Sequence, residues 1–415
     1  MKPDEKMGAA IMAMTDALAR CSEGGPGVSR HFLTPEHKQA MALIRTWMDE
    51  AGMETRIDAI GNVVGRYRGD GSVRRCLITG SHQDTVRQGG RYDGMLGIVT
   101  PIACIAALNR QGRRLPFDIE VIAFGDEEGV RFGTTLLGSH AVAGGFDMDV
   151  LGKRDREGVT IARALEQFGL KPSEIPAIAR RAGDVLAYVE LHIEQGPVLE
   201  AEGLPVGVVT AIAGATRSMV RFEGMAGHAG TVPMQARRDA LAGAAEAILA
   251  VERICAEGGD LVGTVGIADA SPGAANVIPG AASFSLDVRA PGDADRDRAL
   301  AEIRAAFGEI AARRGLSLEI EDIYAEPAVA CAPWLVEAGR QAIADEGIRP
   351  MTLFSGAGHD AVALSSLCDV GMLFVRCKGG ISHNPAEAIT QEDADTGARV
   401  FMRFLDRIAE EARAG

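Results

Sequence analysis

The chain changes its periodicity twice, and this constrains the fold more than any other feature. Through about residue 213, and again from about residue 329, short apolar runs alternate with helical stretches, and polar residues follow the runs directly. Such alternation builds an α/β sheet with its chemistry at the strand ends. Strand-type runs fall at 61–67, 75–79, 118–124, 185–192, 351–354 and 370–375, and helices at 8–20, 34–52, 98–109, 333–346 and from Gln391. Between the two parts the order is strand 218–222, helix 237–256, strands 261–267 and 281–288, helix 293–314 and strand 316–323. That β-α-β-β-α-β order is the ferredoxin-like one. At 415 residues the chain exceeds one ordinary core. It reads as one domain in two parts, 1–213 and 329–415, with 214–328 inserted as a second domain.

Five short stretches place ligand-type residues at the ends of apolar runs. In Gly80-Ser81-His82-Gln83-Asp84, His82 follows a strand with Asp84 two residues on. A carboxylate so close is expected to fix the tautomer of a metal-binding ring, although a lone histidine is as often structural. Asp93 lies in Arg91-Tyr92-Asp93-Gly94, which by itself reads as a turn. Asp126-Glu127-Glu128 follows the apolar run Val121-Ile122-Ala123-Phe124. Acids there are costly unless water or a cation receives them, and neighbouring side chains diverge, which suits a metal ligand beside a general base. His192 and Glu194 share one face of their strand by alternation. His383 lies far away in Ile381-Ser382-His383-Asn384-Pro385. Jointly these stretches bring three histidines and several carboxylates to one α/β domain. A nitrogen and oxygen ligand set without thiolate suits zinc, with manganese, nickel or cobalt as replacements.

Composition narrows the partners. A net charge of −14 argues against a nucleic-acid binder, so an anionic substrate needs locally placed arginines. Seven scattered cysteines without a C-x-x-C point to a reducing compartment rather than a disulfide framework. No apolar stretch reaches membrane-spanning length, and the first 25 residues lack the basic start and apolar run of a signal peptide. The expected location is the cytoplasm.

The stretches GSHQDTV, GGRYDGMLG, GDEEGVRF, LHIEQGPVLE, GHAGTVPMQARRDA, SGAGHDA and SHNPAE resemble, in order and over almost the whole chain, the allantoate amidohydrolase / N-carbamoyl-L-amino acid hydrolase family. That family belongs to the wider aminoacylase and carboxypeptidase group of two-zinc peptidases. The resemblance implies a mixed-sheet catalytic domain and a ferredoxin-like insert that serves as lid and dimerisation domain. It also implies two divalent ions. His82, Asp93 and His192 would hold one, and Asp93 would bridge to a second held by Glu128 and His383. Glu127 would be the general base and Asp84 would orient His82. In the insert, His228 would stabilise the oxyanion across a homodimer interface, while Asn276 and Arg289 would take the substrate's carboxylate near that interface. Gln195 and the turn carrying Gly356 and Gly358 would meet the ureido or amide group. His31, His37, His140 and His359 receive no assigned role.

The expected activity is therefore cleavage of a C–N bond in a small carboxylate-bearing ureido compound, with allantoate first. N-carbamoyl-L-amino acids, or other N-acyl amino acids, are the alternative substrates. A metal-free small-ligand-binding protein of the same fold is the non-enzymatic alternative, against which no ligand position is missing and Glu127 is present; a regulatory or scaffold role would leave the strand-end acids unexplained.

Overall fold

The computed structural model describes residues 6–414; the first five residues of the amino-terminal stretch considered above lie outside it. The chain divides into two compact units. One runs to Thr210 and resumes over Cys331–Leu353 and from Gly358; the other comprises Ala211–Ala330 and Phe354–Ala357. The short Phe354–Ala357 segment, grouped with the metal-binding part in the sequence reading, thus clusters with the insert.

The first unit is built on β1 (Glu54–Ile57), β2 (Val63–Tyr67), β3 (Cys76–His82), β4 (Ile119–Phe124), β5 (Val185–Ile193) and β6 (Val206–Ile212), joined late in the chain by Val370–Val375. The sheet runs β1-β2-β4-β3-β5, then Val370–Val375, then β6. β3 is parallel to β4 and β5, and β5 is parallel to Val370–Val375, whereas β1, β2 and β6 join antiparallel. Every residue of β3, β4, β5 and Val370–Val375 is buried. Strands covered on both faces need near-continuous apolar runs, which is why they are conspicuous in the sequence. The helix Met95–Arg110 packs on β3 and β5, and Gln391–Ala414 packs on Pro333–Asp345 and Val370–Val375. The helix Pro35–Glu50 begins where capping chemistry dictates: the Thr34 side chain accepts from the His37 N–H, and proline occupies the first turn. It buries His37, Ala40, Met41, Ile44 and Met48, a stripe at helical spacing.

Two strands of this first sheet, β1 and β6, are not apparent from the sequence. β1 is mostly exposed and shows no apolar alternation. β6 contains Gly207, and glycine weakens a strand by propensity. A Cβ there would lie 2.6 Å from Leu353, so close packing, not propensity, selects glycine.

The second unit contains β7 (Gly214–Glu223), β8 (Gly227–His228), β9 (Val262–Thr264), β10 (Ala268–Ser271), β11 (Val277–Ile278), β12 (Ala281–Ala290) and β13 (Ser317–Glu326). Its antiparallel sheet runs β10-β12-β7-β13, with β9 also on β12, and β8 pairs with β11 in a separate two-stranded ribbon. β12 alternates strictly. Ala282, Phe284, Leu286 and Val288 are buried, and Phe284, Leu286 and Val288 join a core with residues of the helices Ala240–Glu257 and Asp293–Arg314. Ser283, Ser285, Asp287 and Arg289 point to the opposite face. Phe222, Phe284 and Phe307 meet with ring centroids 5.7–6.3 Å apart. Truncating such a buried phenylalanine costs about 3–5 kcal/mol.

All seven cysteines are thiols outside any disulfide. Among the described residues no helix is long and apolar enough to cross a membrane.

Candidate active site

The three parallel strand pairs of the first unit end side by side. His82 closes β3 and lies opposite Phe124, the last residue of β4, while His192 lies opposite Phe374. The carboxyl ends of parallel strands are where an open α/β sheet presents its side chains to a ligand. Asp93 is the hub. Its Oδ1 lies 3.5 Å from His82 Nε2 and 3.2 Å from His192 Nε2, and its Oδ2 lies 3.2 Å from His383 Nε2. Glu128 Oε1 is 3.7 Å from His383 Nε2 and has no hydrogen-bond partner although buried. Donor atoms of His82, Asp93 and His192 lie within 4.8 Å of one another, and so do those of Asp93, Glu128 and His383. The structure thus brings together all five residues singled out as ligands. Gly94 makes this possible: a Cβ there would sit 2.4 Å from the His82 carbonyl oxygen and 2.6 Å from its ring.

The tautomers show what this cluster is built to hold. His82 Nδ1 lies 3.0 Å from the Asp84 carbonyl oxygen and His192 Nδ1 lies 2.9 Å from the Ile193 carbonyl oxygen. A carbonyl only accepts, so both Nδ1 atoms carry protons, and in the neutral rings both Nε2 lone pairs face the Asp93 carboxylate. The Gly94 N–H also donates to His192 Nε2 at 3.2 Å, which agrees with a lone pair there. Lone pairs pointed at carboxylate oxygens repel, so each contact needs a positive centre: a proton on Nε2 in the metal-free chain, or a metal ion in its place. The donor set fits a divalent metal with nitrogen and oxygen ligands.

The acids agree. Burial pushes the Glu127 carboxyl well above the usual range; His82 opposes this, and Glu128, Asp360 and Asp84 reinforce it. Burial raises Glu128 to about 7, with His82 opposing and Asp93 and Asp84 adding. Asp93 goes the other way: burial would raise it, but the three imidazoles hold it well below the usual range. A cation among these groups restores the ionised form of the carboxylates.

Asp84 is placed differently from the expectation that its carboxylate orients His82. That carboxylate is 3.9 Å from His82 Nδ1, and the ring is held by the main-chain carbonyl instead. The carboxylate accepts from the Glu127 N–H at 3.1 Å and the Glu128 N–H at 3.2 Å, fixing the turn after β4. Asp126 takes a left-handed conformation there, with φ of 59°.

Three buried groups were not read as site residues or received no role. Glu190 accepts from Ser81 Oγ at 2.7 Å and Tyr188 OH at 3.0 Å. It is an acid two residues before His192 in a fully buried strand, so alternation could have found it. His359 packs edge-on against His192 with centroids 4.6 Å apart, and burial, with the neighbouring His192, keeps it neutral. Glu387 holds the Asp93 loop by accepting from the Tyr92 and Asp93 N–H groups at 2.8 and 3.1 Å. Gln195 donates to Ser382 Oγ at 3.1 Å.

The remaining candidates divide between the units. Gly358 lies in the first unit, and a Cβ there would be 3.7 Å from Glu127 Oε1. His228, Asn276, Arg289 and Gly356 lie in the second. The β8–β11 ribbon pairs His228 with Val277, and the Ala229 N–H donates to the Asn276 carbonyl at 3.0 Å, so the two candidates are neighbours. His228 Nδ1 accepts from the Gly230 N–H at 3.0 Å, leaving the proton of the neutral ring on Nε2, where it can donate. Arg289 forks onto Asp287 at 2.8 and 3.0 Å and donates to the Gly356 carbonyl at 2.7 Å. Arg217 shares the same Asp287 at 2.8 Å. A cavity of about 580 Å³ adjoins these residues, walled also by Met219, Val262 and Ile323.

Comparison with known proteins agrees with this geometry. The profile of Peptidase family M20/M25/M40 matches residues 78–407. An N-carbamoyl-L-amino acid amidohydrolase of Geobacillus stearothermophilus is 41% identical over 384 residues, covering 92% of this chain and 94% of the relative. An allantoate deiminase of Arabidopsis thaliana is 39% identical over 427 residues, covering 95% and 81%. The crystal structure of a hydantoinase/carbamoylase family amidase from Burkholderia multivorans superposes with a TM-score of 0.91 at 36% identity, covering 97% of this chain and 98% of that one. By profile, by sequence and by fold, the chain belongs to peptidase family M20/M25/M40.

Proposed function

We propose that the protein is a metal-dependent amidohydrolase that cleaves a C–N bond in a small ureido compound bearing a carboxylate, with allantoate as the first substrate. The observation that carries this reading is the convergence of His82, Asp93, Glu128, His192 and His383 beside the acid Glu127. The names of the Arabidopsis and Geobacillus relatives support the substrate class. N-carbamoyl-L-amino acids are the second reading, favoured by the apolar side chains of Met219, Val262, Ile267 and Ile323 around the cavity beside Arg289.

His82, Asp93 and His192 would hold one divalent ion, and Asp93, Glu128 and His383 a second. Bound there, zinc, or manganese, nickel or cobalt in its place, supplies Lewis acidity toward the carbonyl and toward water. Glu127 takes a proton from the attacking water and returns it to the leaving nitrogen. Burial raises its basicity in the metal-free chain, and cations bound beside it would return it to the ionised form that accepts the proton. Asp84 serves by holding the Glu127 and Glu128 backbone. Arg289 reads the substrate's carboxylate with two parallel N–H donors, exchanging Asp287 for it, and Asn276 adds a further polar contact. His228 donates from Nε2 to the oxyanion. Gln195, Gly356 and Gly358 would line the ureido group. In this reading the second unit acts as lid and dimerisation domain of a cytoplasmic homodimer.

The test is to incubate metal-loaded and EDTA-treated protein with allantoate and with a panel of N-carbamoyl-L-amino acids, measuring ammonia and free amino acid. EDTA-sensitive ammonia release from allantoate supports the first reading, and free amino acids from the panel support the second. Inertness toward both, with metal bound, overturns the assignment.

A further inference from the structure

Ser382 precedes the candidate ligand His383, and its hydroxyl sits between two carboxylates. It accepts from Gln195 Nε2 at 3.1 Å, so its own proton must point elsewhere. Glu387 Oε2 is 3.0 Å away and Asp93 Oδ2 is 3.4 Å away. One hydroxyl has one proton, and the shorter contact takes it. Glu387 is buried, and its other oxygen accepts from the Tyr92 and Asp93 N–H groups. All three donors that converge on Glu387 find an acceptor there. The carboxyl also packs directly on Gly90, where a Cβ would lie 2.1 Å from it. Its position is therefore fixed from both sides.

We infer that Glu387 is a positioning residue that draws the Ser382 proton away from Asp93 and keeps Asp93 Oδ2 available to a cation. This rests on the reading above that Asp93, Glu128 and His383 hold a metal ion. The isosteric substitution Glu387→Gln exposes the role. The Tyr92 and Asp93 N–H groups require the amide oxygen on their side, because the reverse orientation opposes donors to donors. The amide NH₂ then faces Ser382 and donates to it. Ser382 now accepts twice, and its proton turns to Asp93 Oδ2, in competition with the cation. Removing the hydroxyl in the double variant Glu387→Gln/Ser382→Ala removes that competitor.

The test is Zn²⁺ titration of chelator-stripped protein in competition with a chromogenic chelator, for wild type, E387Q, S382A, E387Q/S382A and H383A. The expected result is a loss of about 10–100-fold in affinity for the weaker ion in E387Q, the range seen when a partner of a metal ligand is altered. S382A stays within about threefold of wild type, and the double variant recovers to within about threefold of S382A, a coupling that independent sites do not show. A merely structural Glu387 predicts no rescue, because the double variant lacks the same carboxylate and would misfold alike. A double variant as weak as E387Q, or an E387Q with wild-type affinity, overturns the inference. If H383A binds both ions as tightly as wild type, the metal reading fails instead.

Discussion

The placement of Asp84 gives the sharpest prediction. The sequence pattern His82-Gln83-Asp84 invites a carboxylate that orients the histidine, but the carboxylate instead holds the Glu127 and Glu128 N–H groups, at 3.1 and 3.2 Å, from a site only 1% exposed. Asp84→Asn keeps the shape and the main-chain carbonyl that fixes His82. It replaces one accepting oxygen with an NH₂ group facing an N–H. One charge-assisted bond is lost, at about 1.5–3 kcal/mol. The cost falls on the backbone that aims Glu127, so it is felt in turnover. At about 1.4 kcal/mol per tenfold, kcat falls roughly 10- to 150-fold, with KM and metal content near wild type. The assay is steady-state kinetics on protein whose metal content is measured in the same sample. A D84N protein that loses metal in proportion to activity, with unchanged kcat per loaded site, would refute this reasoning and return the carboxylate to His82.

Other perturbations separate the remaining roles. Glu127→Gln should lower kcat by about 10²–10⁴-fold, the usual weight of general acid–base catalysis, with both ions retained; near-wild-type turnover sinks the base assignment. Arg289→Lys should raise KM for carboxylate-bearing substrates about 10-fold or more with little change in kcat, because a lysine cannot form the two-pronged contact. An effect on kcat alone would remove Arg289 from carboxylate binding. Metal-free protein should melt at lower temperature as pH rises from about 5 to about 8. Glu128 is raised to about 7, chiefly by burial, and His383 is raised chiefly by Asp93. Both therefore hold protons more tightly when folded, and stability is lost as pH climbs through about 7 for Glu128 and above the ordinary imidazole range for His383. Metal loading should abolish or reverse the slope, and calorimetry on both forms checks it.

The local and strongly periodic parts of this protein are legible in its amino-acid order. β3, β4, β5 and Val370–Val375 announce themselves because strands buried on both faces must be apolar throughout. For the same reason His82, Glu127, Glu128 and His192 stand out as polar residues at the ends of such runs. The helix Asp293–Arg314 was legible to the residue, since acids open it, arginines close it and Gly315 ends it. What the sequence could not give was any contact between distant segments. That the Asp84 carboxylate reaches the Glu127 and Glu128 backbone rather than His82 depends on β3 lying beside β4. That His228 neighbours Asn276 depends on the β8–β11 pairing. That Arg289 forks onto Asp287 depends on two side chains sharing one face of β12. Glu387 reaches Asp93 across nearly 300 positions because both loops follow parallel strands whose carboxyl ends lie on the same side of one sheet. Hydrogen bonds are directional and short, so their partners are chosen by where packing brings atoms to within about 3 Å. Only the folded chain sets that distance.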